Sequence, residues 1–117
     1  MTLKVGDSAP DFTLKNQFME EVKLSDFQEK KNVLITFYPF SFTGTCTGEL
    51  CGLRDDLSSF QNEKTELLAI SCDSPFTQKV FAEKENFPFS VLSDFWPHGS
   101  VSKAYGAFVE DKGILTI

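Results

Sequence analysis

The chain has 117 residues, 41% of them hydrophobic and thirteen of them Phe, which is enough for one core and too little for two ordinary domains. A net charge of −6, with Arg54 as the single arginine, excludes nucleic acid and anionic membrane surfaces as partners, because both reward clustered Lys and Arg. No apolar run approaches the roughly 18 residues of a membrane span, and three irregularly spaced cysteines with no signal-peptide pattern at the start fit a reducing, cytoplasmic setting.

In chain order, residues 1–24 carry Pro10, the apolar Phe12-Thr13-Leu14, a polar break at Lys15-Asn16-Gln17, then Val22 and Leu24. This pattern predicts a small hairpin over one edge of a main sheet. Ser25-Asp26-Phe27-Gln28 has the Ser-x-x-Gln form of a capping box and predicts a single helical turn. Val33 to Tyr38 is a β-branched and aromatic run of strand length, and Leu50, Leu53, Leu57 and Phe60 recur at helical spacing, so a helix is expected over about 46–61. A polar link at 62–65 and an apolar run at 66–71 complete a βαβ unit, for which parallel pairing with a right-handed crossover is expected.

Beyond it, Ser74 and Pro75 read as the cap and first residue of a helix that turns Phe76, Val80 and Phe81 inward. Phe87 to Leu92 reads as a strand close to an edge at its Pro88 end. A short helix over about 98–105 closed by Gly106, and a hairpin over 107–117, follow. The class is α/β, in a single domain.

The chemistry concentrates between the first long strand and the helix after it. Cys46 falls in the first helical turn, where free backbone N–H groups and the positive dipole end favour a thiolate. Pro39 ends the strand, Gly44 allows tight backbone geometry, and Thr43 offers a hydroxyl to the thiolate or to an oxygen bound beside it. A free cysteine is more often a small buried hydrophobe, but that reading suits neither this loop nor this helix start.

Pro39, Thr43 and Cys46 together form Pro-x-x-x-Thr-x-x-Cys, the signature of the peroxiredoxins, which the chain resembles. Val5-Gly6-Asp7-Ser8-Ala9-Pro10-Asp11-Phe12, Cys46-x-x-Glu49, Ser93-Asp94 and Tyr105-Gly106 carry the resemblance along essentially the whole chain. Two subgroups compete. Ser93 to Gly99 is similar to the one-cysteine, AhpE-like proteins, whereas Cys51, five residues after Cys46, is similar to the bacterioferritin-comigratory or PrxQ type.

The resemblance implies a thioredoxin-like fold, with a central mixed sheet flanked by helices, and a thiol-dependent peroxidase needing no metal or organic cofactor. Cys46 would attack the O–O bond of hydrogen peroxide or an organic hydroperoxide and become a sulfenic acid. Thr43 would hydrogen-bond the peroxide, Pro39 would shield the site, and Glu49 would orient an arginine, unless Glu49 is simply a first-turn acid. Cys51 would resolve the sulfenate as in the PrxQ type. Its phase lies about 140° from Cys46 on a helix, so a disulfide requires local unwinding, and the bland alternative is a helix residue with no redox role. Gly48 and Gly52 would ease that unwinding by roughly 1 kcal/mol each.

Thioredoxin, mycoredoxin or a similar thiol reductant would complete the cycle, and a homodimer is possible. Cys72 reads as a structural thiol and lone His98 as a structural or interface residue. Trp96 is assigned to a dimer surface or to a pocket wall, and Arg54-Asp55 to an exposed helix pair. The family's active-site arginine, expected on a strand just beyond Tyr105-Gly106, has no counterpart among the 117 residues. On this resemblance the chain is expected to be a truncated form of a longer peroxidase, lacking C-terminal elements and reacting slowly for want of that charge. A thioredoxin-fold sensor that uses Cys46 without turnover is the rival reading.

Overall fold

A computed structural model describes residues 3–115, without the side chains of Thr45, Cys46 and Phe60. The elements are β1 (Thr13–Lys15), β2 (Glu21–Lys23), a 3-10 turn (Leu24–Phe27), β3 (Asn32–Phe37), α1 (Gly44–Asp55), α2 (Leu57–Phe60), β4 (Thr65–Ser71), α3 (Pro75–Glu85), β5 (Ser90–Ser93), α4 (Ser100–Ala104), β6 (Phe108–Val109) and β7 (Ile114–Leu115). Five strands form one sheet in the order β2-β1-β5-β4-β3. β3, β4 and β5 run parallel, and the N-terminal hairpin adds to the β5 side in the antiparallel sense. The expected α/β class, mixed sheet and parallel βαβ unit are all present.

β4 is buried on both faces, and its period-2 alternation sorts the core into two layers. Leu67 and Ala69 pack with Tyr38, Leu50, Phe81, Ala82, Phe87, Phe89 and Val91, beneath α1 and α3. Leu68 and Ile70 pack on the other face with Phe12, Leu14, Leu92 and Leu115, flanked by Val101, Tyr105 and Phe108. Each fully buried Leu or Phe contributes roughly 1.5–3 kcal/mol, so β4 carries much of what holds the two layers to one sheet.

The short helix closed by Gly106 and the final hairpin are present, β6 pairing with β7 as a separate two-stranded sheet. The last two residues of the anticipated hairpin, 116 and 117, lie outside the described residues. Ser74 caps α3 by accepting the Thr77 amide, with Pro75 at the first helical position. At the other end Asn86 takes the left-handed conformation, and the Asn86 and Phe87 amides return to Glu83 and Ala82, a Schellman closure.

Four local readings are corrected. The turn after β2 starts at Leu24 and has no side-chain cap; Ser25 lies inside it and donates its amide to Asp11 Oδ1 at 2.9 Å, so no capping box forms. Phe76 and Val80 are exposed at 71% and 57%, while Gln78, Phe81 and Ala82 are buried. Phe76 and Val80 are i,i+4 neighbours on one side of α3, and the face that meets the sheet is the other one. The long helix over 46–61 is broken at Asp56 (φ −116°, ψ 40°) into α1 and α2. Gly44 is an ordinary first helical residue, and the left-handed residue of the loop is Phe42, at φ 70°.

β5 lies inside the sheet, but β1 meets it only at Lys15↔Ser93. Towards the Pro88 end the ladder is continued by a side chain. Gln17 donates Nε2 to the Phe89 carbonyl at 3.0 Å and accepts the Val91 amide at 2.9 Å. This buried glutamine stands in for a strand, meeting backbone groups whose burial without partners would cost about 1–3 kcal/mol each.

Candidate active site

β3 delivers the chain to the carboxyl end of the sheet, where ligands of open α/β folds bind. Pro39 follows one residue after Tyr38, whose amide still bonds to Ile70 O, and there the strand stops. The loop 39–43 then turns sharply. Phe42 adopts its left-handed φ, a conformation that costs a non-glycine residue on the order of 1–3 kcal/mol and persists where surroundings enforce it. Those surroundings are visible: the Phe42 ring packs 5.0 Å from Phe81, Lys84 lies over it at 5.8 Å, and Thr43 Oγ1 donates to Phe40 O at 2.9 Å.

Thr43 is the residue before α1, with extended φ −83° and ψ 148°, and its carbonyl accepts the first helical bond from Thr47 N. Gly44, Thr45 and Cys46 therefore occupy the first turn, where backbone N–H groups precede the helical ladder and favour an anion. Cys46 has the backbone position the sequence gives it; its side chain is not described. Glu49 is exposed on the next turn.

Beneath the loop lies a buried polar cluster that sequence reasoning missed. Gln78, fully buried on α3, accepts at Oε1 from Ser41 Oγ (2.7 Å) and Tyr38 Oη (3.1 Å). Its Nε2 donates to Ser71 Oγ (2.8 Å) and Leu92 O (3.0 Å). Asp73 accepts the Ser41 amide at 2.8 Å and the Ser71 hydroxyl at 2.6 Å, and Ser93 Oγ donates to Asp73 O at 2.6 Å. Burial pushes the Tyr38 phenol up to about 12, against hydrogen bonds that favour its ionised form. β3, β4, β5, α3 and the loop are thus tied at one point. Gln78→Leu is expected to destabilise the fold by about 2–4 kcal/mol in urea denaturation, because several buried groups lose their partner together.

Cys51 is half-buried against the α1–α3 core layer, and its Sγ–H donates to Glu85 Oε2 at 3.4 Å. Burial first, then the Glu85 carboxylate, raises its pKa, with Arg54 opposing. Arg54 is not an isolated exposed pair. It bonds Asp55 Oδ1 through Nε at 2.9 Å and donates Nη1 to the Glu85 carbonyl at 2.6 Å, with Glu85 Oε2 at 3.9 Å. Glu85 had no signal in the sequence beyond a charge at the end of a helix.

Cys72 is buried in the opposite layer, and desolvation together with Asp94 and Asp73 pushes its thiol up to about 11, as suits an inert structural cysteine. His98 lies within hydrogen-bond distance of the Gly113 carbonyl (2.7 Å), tying the last hairpin to the turn before α4. Asp94, fully buried, accepts the Ser102 amide and hydroxyl, which gives the Ser93-Asp94 pair a helix-anchoring role. Trp96 is 80% exposed and walls a cavity of about 270 Å³ with Phe95, Pro75, Thr13 and Lys15, a lining that includes no residue of the loop 39–43. No cluster of metal-ligating side chains occurs among the described residues, and no described helix is long and apolar enough to cross a membrane.

A thioredoxin-like sheet that presents one cysteine in the first turn of a helix, after a braced Pro-x-x-x-Thr loop, defines a thiol-based oxidoreductase. Residues 5–116 match the AhpC/TSA family model. The chain is 52% identical over 112 residues to alkyl hydroperoxide reductase E of Mycobacterium tuberculosis, covering 96% of this chain and 73% of the relative. It is 46% identical over 92 residues to peroxiredoxin Bcp of Escherichia coli, covering 79% of this chain and 58% of the relative. Among solved structures it is similar to peroxidoxin BcpB of M. tuberculosis (TM-score 0.82, 33% identity, 90% of this chain and 67% of that one). It is also similar to a reduced 2-Cys peroxiredoxin of Plasmodium vivax (TM-score 0.80, 33% identity, 92% and 71%). The chain belongs to the AhpC/TSA family of peroxiredoxins, and it is a thiol-dependent peroxidase.

Proposed function

We propose that Cys46 is the peroxidatic cysteine and Cys51 the resolving one. The thiolate attacks the distal oxygen of hydrogen peroxide or an organic hydroperoxide. The O–O bond breaks, sulfur is oxidised to a sulfenic acid, and the departing oxygen takes a proton to leave as water or alcohol. Cys51 then attacks the sulfenic sulfur: an S–S bond forms, the S–O bond breaks, and the thiol hydrogen leaves with the hydroxyl as water. A dithiol reductant of the thioredoxin or mycoredoxin kind reopens the disulfide. In this reading Pro39 shields the sulfur from water, Thr43 offers its hydroxyl to the peroxide, and Glu49, exposed on α1, orients an arginine. The observation that carries this reading is the placement of Cys46 ahead of the first helical hydrogen bond, Thr47 N–H to Thr43 O.

For the second half of the cycle the support is the combination of five-residue spacing and two glycines in α1 that pack against nothing: a Cβ built at Gly48 or Gly52 meets no atom within 4 Å. The exposed Phe95 and Trp96, which wall one cavity with Pro75, support a homodimer through that surface. Mass spectrometry with thiol mapping after one equivalent of peroxide tests the assignment. The expected product is a Cys46–Cys51 disulfide, lighter by two hydrogens. A lasting sulfenate at Cys46 with Cys51 free would instead support the one-cysteine route, in which an external thiol attacks; no oxidation at Cys46 would refute both.

A further inference from the structure

In the folded helix Cys51 is not free to act. It sits five residues beyond Cys46, about 7.5 Å further along the axis, so it has to leave its seat before an S–S bond can form. That seat is built by α3: Glu85 Oε2 accepts the thiol hydrogen at 3.4 Å, and the Glu85 carbonyl receives Arg54 Nη1 at 2.6 Å from the next turn of α1. The Schellman closure at Asn86 fixes where Glu85 lies, since its left-handed residue follows directly. The charged groups that face the thiol among the described residues are Glu85 from α3 and Arg54 and Asp55 from α1 itself; the remaining neighbours in that layer, such as Leu53, Phe81 and Phe87, are apolar.

We propose that Glu85 is a positioning residue for the resolving step, a clasp that holds Cys51 as a seated thiol in the intact helix and releases it when the thiol ionises. The inference rests on the assignment of Cys51 as the resolving cysteine. Its logic is a linkage. A thiol beside a carboxylate donates a hydrogen bond and stays, whereas a thiolate in the same place meets a negative charge and is driven out. Because the seated form is the resting one, the pH dependence of disulfide formation follows the ionisation of Cys51 in its seat beside Glu85 rather than that of an exposed thiol. Glu85 thereby sets how long the sulfenic acid at Cys46 survives before it is consumed, and so how exposed it is to a second peroxide.

The test is rapid mixing of the reduced chain with peroxide, following sulfenate formation and then disulfide formation across pH. Glu85→Gln keeps the size of the side chain, an acceptor oxygen and the backbone carbonyl used by Arg54, and removes only the charge. Disulfide formation is expected to become several-fold faster at neutral pH, and its pH profile to move to lower pH, with the rate of sulfenate formation unchanged. Arg54→Gln, which removes the cation opposing Glu85, is expected to move the profile to higher pH. A loss of packing alone would quicken the step without moving either profile. An unchanged or slower step in Glu85→Gln, or profiles that stay in place, overturns the clasp. Absence of any Cys46–Cys51 disulfide in the unsubstituted chain overturns the assignment of Cys51, and the clasp with it.

Discussion

Cys46→Ser is expected to lose roughly a thousandfold or more of the peroxide-reducing rate, which amounts to no activity in a competition assay against horseradish peroxidase. The reason is the availability of an anion. A helix N-terminus lowers a thiol's pKa far enough to populate thiolate near neutral pH, whereas a serine hydroxyl at the same place stays protonated. The fold should be untouched, with unchanged far-UV circular dichroism and urea midpoint, because the substitution falls in the first turn and preserves side-chain size. Rapid peroxide consumption by this variant would show that the catalytic sulfur lies elsewhere. The raised pKa values of Cys51 and Cys72 make them poor replacements at neutral pH.

The second large effect is expected from the opposite kind of change, one that stabilises. Gly48→Ala together with Gly52→Ala adds two methyl groups where nothing lies within 4 Å, so no clash offsets the gain in helix propensity. That gain is about 1 kcal/mol per site, about 2 kcal/mol for the pair, and corresponds to a roughly thirtyfold less populated unwound helix. If disulfide formation passes through that unwound form, it slows by about the same factor while sulfenate formation keeps its rate. The doubly substituted chain should then accumulate over-oxidised Cys46 under repeated peroxide pulses, read by mass spectrometry. Equal disulfide rates in the two proteins would place the resolving step outside helix unwinding.

Much of the architecture was legible because it rests on local rules. Ser74 followed by Pro75 announces a helix start whatever lies around it, and the run from Val33 to Tyr38 can hardly be anything but a strand. What was not legible is the identity of the buried face where apolar residues occur on both sides of a helix. Phe76 and Val80 look like core, yet α3 turns Gln78 inward. A glutamine can be buried there because its four hydrogen bonds are supplied by Tyr38, Ser41, Ser71 and Leu92, all of them seven to forty positions away and spread over β4, β5 and the loop after β3. No window of sequence contains that information. Glu85 is hidden in the same way, its meaning arising only where the end of α3 meets the middle of α1. The loop that leads into α1 divides likewise: Pro39, Thr43 and Cys46 form a readable pattern, while the strained Phe42 and the props beneath it exist only in the fold.

The cluster under that loop has a property that follows from counting hydrogens. Tyr38 Oη, Ser41 Oγ and Gln78 Oε1 form a triangle with sides of 2.9, 2.7 and 3.1 Å, and only two hydroxyl hydrogens are available for its three edges. Gln78 cannot supply a third, since its amide hydrogens are committed to Ser71 and to the Leu92 carbonyl, which also prevents the amide from flipping. Both hydroxyls can donate to glutamine, or tyrosine donates to serine and serine to glutamine, or the circuit runs the other way, and the short serine–glutamine edge favours the two arrangements in which serine donates to glutamine. Passing between them requires only that hydroxyls rotate. The floor of the loop 39–43 can therefore change the direction of its dipoles while every heavy atom stays in place.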